Sequence, residues 1–86
     1  MTPARKTARR RAARLGDLTP GTCAVVRRVS GDPGLRRRLM ELGFVPGTSV
    51  VLIRRAPMGD PIELELRGTH FSLRSTEADR IDVDLY

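Results

Sequence analysis

Eighty-six residues with a formal net charge of +6, one cysteine, no tryptophan, one tyrosine and two phenylalanines allow one small domain. A single cysteine excludes an intrachain disulfide, and so few aromatics argue against the base-stacking platforms of single-strand nucleic-acid binders. The longest apolar runs reach about four residues, far below the ~20 of a membrane span, and no apolar stretch follows the basic start as a secretory signal requires.

The charge is unevenly spread. Arg5, Lys6, Arg9, Arg10, Arg11 and Arg14 are six of the sixteen basic residues, and no acid stands among residues 1–14. The ten remaining bases balance the ten acids. Residues 1–14 therefore read as a solvated basic tail, or as an electrostatic tether to anionic lipid or an acidic protein. Residues 15–86 read as a neutral folded domain.

In chain order, Leu15–Gly21 leads into the domain, with Leu18 turned to the core and Pro20-Gly21 in a turn. Thr22–Val29 is a strand in which Ala24 and Val26 share a face; Val29 breaks the period of two, which predicts a bulge near Arg27-Arg28. Asp32 is placed to cap a helix, and Pro33 suits its first position. Leu35, Leu39 and Leu42 then fall on one helical stripe and are expected to anchor the helix. Arg36 and Arg37 face solvent, while Arg38 is placed to form an ion pair. Gly43 suits the left-handed position after the helix, Phe44 folds back onto it, and Pro46-Gly47 has the residues of a type II turn.

Thr48–Ala56 is the second main strand, apolar on both faces at Val50-Val51-Leu52-Ile53. Pro57–Pro61 is a tight loop. Ile62–Arg67 alternates, with Ile62, Leu64 and Leu66 inward. Gly68-Thr69 is expected to form a two-residue II′ turn, after which Phe71 and Leu73 point inward. Thr76–Arg80 reads as one helical turn capped by Thr76, and Ile81, Val83 and Leu85 line a last strand. The fold class is mainly β: a small closed barrel of about five short strands with one inserted helix.

Catalytic and metal chemistry find little support. His70 and Cys23 are the only histidine and thiol and lie in separate strands, so neither a nucleophile–base set nor the four ligands of a structural zinc site can be assembled. No phosphate-cradling glycine loop precedes the helix. The expected catalytic, cofactor and tight metal sites are therefore none, with a weak contact through His70 and a nearby carboxylate left open.

The run Arg38-Leu39-x-Glu41-Leu42-Gly43-Phe44-x-Pro46-Gly47, followed by Pro57-x-Gly59-Asp60-Pro61, Leu73-Arg74, Glu77-Ala78 and Ile81-x-Val83, resembles the FeoA family of bacterial ferrous iron uptake. The resemblance covers about residues 15–85. It implies an SH3-like barrel, no agreed catalytic residues, and a cytoplasmic role at the inner face of the membrane beside a FeoB-type ferrous iron permease, at its G domain. Similar barrels end the iron-dependent repressors, so a regulatory or nucleic-acid-binding barrel is the alternative, although no helix-turn-helix is present and no specific nucleic acid is expected.

The short helix cannot cover a nine-residue strand. Part of the second apolar face should stay exposed and serve as a partner surface: Arg37, Met40, Glu41, Phe44, Val51 and Ile53. A heterologous partner, a homo-oligomer and internal packing are the candidate occupants.

Overall fold

The computed structural model describes residues 11–85. Six strands form one antiparallel sheet in the order β1-β6-β2-β3-β4-β5. They are β1 (Arg11–Arg14), β2 (Cys23–Val29), β3 (Ser49–Arg55), β4 (Ile62–Leu66), β5 (Thr69–Leu73) and β6 (Ile81–Leu85). A 3₁₀ turn at Leu15–Asp17, helix α1 (Pro33–Leu42) and one-turn helix α2 (Ser75–Ala78) complete the chain. The sheet curls around one core of Leu15, Ala24, Val26, Leu39, Phe44, Val50, Leu52, Ile62, Leu64, Ala78, Ile81 and Val83, all at most 1% exposed. Period-two alternation supplies this inner face, and the outer face carries the charges.

Two expectations about the architecture are corrected. Among the described residues there are six strands rather than about five, and β1 and β5 end the sheet without pairing to each other, so the barrel is open rather than closed. The extra strand comes from the stretch read as tail: residues 11–14 pair with β6 from Arg11↔Leu85 to Arg14↔Asp82. Main-chain pairing needs no apolar side chains. Alternation still turns Ala13 toward the core. The tail expectation for residues 1–10 lies outside the described residues.

Other local expectations hold. The register between β2 and β6 shifts at Arg27, between the Val26↔Val83 and Arg28↔Asp82 pairs; a second shift, not foreseen, falls at Ile53 in β3. The β4–β5 turn is displaced. Leu66 pairs with Thr69, so the turn residues are Arg67 (φ 54°) and Gly68 (φ 80°), a type I′ pattern rather than II′ at Gly68-Thr69. The two registers differ by an even number of residues and place the same side chains inward, which is why alternation could not choose between them.

The start of α2 is also corrected. It begins at Ser75 with Arg74, not Thr76, as its N-cap residue. The orphan N–H of Ser75 donates to Asp60 Oδ1 at 2.7 Å, across from the Pro57–Pro61 loop, and the N–H of Arg74 donates to Glu77 Oε1 at 3.0 Å. The half-buried Arg55 guanidinium donates to the carbonyls of Gly16 and Leu18 and so ties the 3₁₀ turn to β3.

Candidate functional site

Helix α1 is built as its residue types dictate. Asp32 Oδ1 accepts the Leu35 N–H at 2.8 Å, and Pro33 occupies the first turn, where no donor is missed. Gly43 takes the left-handed conformation at φ 116°. The Phe44 N–H then donates to Leu39 O at 3.1 Å, which swings the Phe44 ring into the core. There it meets Phe71 with ring centroids 5.9 Å apart. The N–H of Thr48 donates to Val45 O at 3.1 Å around Pro46-Gly47, with Gly47 at φ 92°, the expected type II turn.

The leucine stripe behaves differently from expectation. Only Leu39 is fully buried; Leu35 is half-buried and Leu42 is 38% exposed. Leu35 still packs against the core beside Leu39, while Leu42 remains open to solvent. Arg38 does form an ion pair, with Glu77 of α2, a partner the sequence did not point to.

On the outward side of α1, Pro33, Arg36, Arg37, Met40, Glu41 and Val45 line a shallow groove of about 470 Å³. Met40 is 43% exposed. Helical spacing explains the set: positions 33, 36, 37, 40 and 41 are successive neighbours along one face. Pro33, Met40 and Val45 form an apolar floor between two guanidinium groups and one carboxylate.

The structure divides the predicted surface. Arg37, Met40 and Glu41 come together in this groove. Val51 and Ile53 lie half-buried on the outer face of β3 and do not line it. Phe44 is wholly buried and leaves the set. The reason was visible in its own neighbourhood, since a residue folded back by a Gly43 cap cannot also face solvent. Pro33, Arg36 and Val45 were missed. Pro33 and Arg36 follow from Met40 by i−7 and i−4 spacing, but nothing in the sequence brings Val45 back to the helix.

The outer sheet face holds the remaining polar chemistry. Register places Cys23, Val51, Glu65 and His70 in one cross-strand row. His70 Nε2 stands 3.6 Å from Glu65 Oε1. Among the described residues no group of three or more His, Cys, Asp or Glu side chains is gathered as a metal site. Arg54 donates two hydrogen bonds to Glu63, at 3.1 and 3.0 Å. That donation holds the Glu63 carboxyl below the ordinary glutamate range and the Arg54 guanidinium above its own. Arg27 and Arg28 reach Asp84 and Asp82 on β6. No described helix is long and apolar enough to cross a membrane.

Comparison with known proteins gives this arrangement a family. A family model described as the FeoA domain matches residues 13–85. A fusion of Fe(2+) transport protein A with the Fe(2+) transporter FeoB, from Porphyromonas gingivalis, is 38% identical over 72 residues, covering 84% of this chain. The chain spans only 8% of the length of that relative. The solution structure of FeoA from Chlorobium tepidum superposes with a TM-score of 0.80 at 41% identity, over 85% of this chain and 70% of that one. The crystal structure of Stenotrophomonas maltophilia FeoA complexed with zinc, described as an SH3 domain protein, gives 0.75 at 38% identity over 84% and 89% of the two chains. The open curled sheet is thus the SH3-like fold expected from the sequence, and the chain belongs to the FeoA family.

Proposed function

We propose that this chain is a non-enzymatic accessory module of ferrous iron uptake. It acts in the cytoplasm on the G domain of a FeoB-type permease, and its contact surface is the groove of α1. The observation that carries the reading is the fusion in P. gingivalis, where a stretch 38% identical to this chain shares one polypeptide with an Fe(2+) transporter. Covalent linkage keeps two modules at high effective concentration, as a functional pair requires. The groove adds a physical reason. Met40 supplies a flexible apolar contact, and Arg36, Arg37 and Glu41 rim it with charge, the anatomy of a transient protein contact. Val51 and Ile53 extend the contact along β3.

The test introduces Met40→Asp and Val51→Lys separately. After their folds are confirmed by NMR, binding to the soluble G domain and self-association are measured. Met40→Asp is expected to weaken G-domain binding by roughly tenfold or more, the loss of about 1.4 kcal/mol that marks an energetically important contact. Wild-type binding by both folded variants would move the surface elsewhere. Loss of self-association instead would identify a second copy as the occupant.

A further inference from the structure

The sheet has two ends, and they are finished differently. β1 carries Arg11 and Arg14, charges that discourage a strand from adding there. β5, Thr-His-Phe-Ser-Leu, has no proline, no lysine or arginine and no bulge against β4. Its pairing follows from the turn. Leu66 and Thr69 flank a two-residue loop, so they form a hydrogen-bonded pair, and Phe71 and Leu73 also bond back to β4. The N–H and C=O groups of His70 and Ser72 therefore point to the free side. No backbone partner takes them among the described residues.

Beside this edge runs a second groove, of about 530 Å³, distinct from that of α1. Leu42, Pro61, Phe71 and Leu73 give it an apolar floor. Leu42 is exposed although apolar. Arg38, Arg74 and Glu77 stand at its rim. Glu77 is engaged by Arg38, and no ion pair occupies Arg74 among the described residues. The rim thus keeps one uncompensated positive charge.

We infer that the β5 edge is a strand-addition site for an extended, acidic–apolar segment of a partner protein. The main chain of that segment would bond to His70 and Ser72. Its alternate apolar side chains would enter the groove between Leu42, Phe71 and Leu73, and a carboxylate would lie against Arg74. Strand addition takes its affinity from the main chain and its selectivity from such alternate pockets. A second copy of this chain fits less well. A second β5, Thr-His-Phe-Ser-Leu, carries no carboxylate to set against Arg74, and its Phe71 and Leu73 are already committed to their own core. The inference does not rest on the α1 groove, and either surface stands if the other fails.

The experiment titrates the isotope-labelled full chain with acetyl-Glu-Val-Thr-Leu-Thr-Val-Glu-amide and follows backbone amides by NMR. The expected result is that the His70 and Ser72 amides shift and become protected from exchange. N-methylating alternate amides of the peptide, so that its pairing edge is blocked, should weaken binding roughly tenfold, since several main-chain hydrogen bonds are lost together. Arg74→Glu should also weaken it. Ser72→Pro should abolish it, because proline removes the edge-facing N–H while sparing the bonds to β4. If that variant fails to fold, the N-methylated peptide against the wild-type chain decides. Equal binding of the methylated peptide, shifts confined to Pro33–Val45, no shift at His70 and Ser72, or dimerisation of the chain through β5 would each overturn the inference.

Discussion

The two sides of α1 differ more than their sequence spacing suggests. Leu39 is fully buried while Met40, the next residue, is 43% exposed. Leu35 and Leu42 share the stripe of Leu39 but not its burial. The largest buried side chain of this region comes from outside the helix: Phe44, delivered by the turn at Gly43. The helix itself commits one side chain fully, Leu39, with Leu35 packed partly beside it, and the turn after its C-terminal cap supplies the second buried anchor, Phe44. Heptad-like spacing is thus a sound guide to which face turns inward and a poor guide to how far along the helix burial extends.

Substitutions on the two sides separate the roles. Phe44→Ala should cost about 3–5 kcal/mol, the range for truncating a buried aromatic. Met40→Ala should stay within about 0.5 kcal/mol, as exposed substitutions do. Urea denaturation of both variants checks the contrast, and comparable losses would erase it. For a domain of this size, whose net stability is only ~3–5 kcal/mol, the Phe44 variant is expected to be largely unfolded at 25 °C.

Next in size comes the hinge between the two sides. Gly43 lies at φ 116°, and a Cβ there would stand 2.9 Å from Leu66 Cδ2. Gly43→Ala combines a backbone conformation that side chains avoid with a clash against a core leucine, at a cost of about 1–3 kcal/mol. Gly47→Ala serves as the control: its φ is 92°, but no atom stands within 4 Å of the added carbon. A smaller loss at Gly47 than at Gly43, read from thermal midpoints, isolates the packing part. Equal losses would assign the whole effect to the backbone.

The smallest effect belongs to the solvent-exposed Arg54–Glu63 pair of the outer sheet face. The Glu63 carboxyl is lowered chiefly by the hydrogen bonds from Arg54. A carboxyl whose folded pKa lies below its unfolded one contributes stability above the unfolded pKa, and that contribution is lost as pH falls through the folded pKa. The expected sign is therefore a slightly shallower acid limb of stability for Glu63→Gln than for the wild type, below the ordinary carboxylate range. Because the pair is solvent-exposed, the difference should shrink further in high salt. Coincident acid limbs at low salt would show that the pair contributes nothing.

How much was legible depended on how local the cause was. Asp32, Pro33, Gly43, Phe44 and Pro46-Gly47 act within a few residues of themselves, and each does what its chemistry implies. The bulge at Arg27 was legible for the same reason, as a break in period along one strand. The β4–β5 register was not, because a slip by an even number of residues leaves every side chain on its face, and only the turn conformation at Arg67-Gly68 decides. The strand at Arg11–Arg14 was hidden beneath its charge, since its pairing is made by main-chain groups that every residue carries. Of the predicted surface, Arg37, Met40 and Glu41 were readable from helical spacing alone.

The helix with both its caps, the inward sets of β2, β4, β5 and β6, the bulge in β2, and a family resemblance carried by residues spread from Arg38 to Val83 were all readable from the sequence alone. Tertiary structure alone decided that Phe44 belongs to the core, that Leu42 does not, that Val45 joins the helix groove, and that the sheet ends in one charged and one bare edge. The division has one physical cause. Capping, turning and alternation are settled between residues close in sequence, whereas burial and the pairing of sheet edges are settled by which distant segment arrives to exclude water.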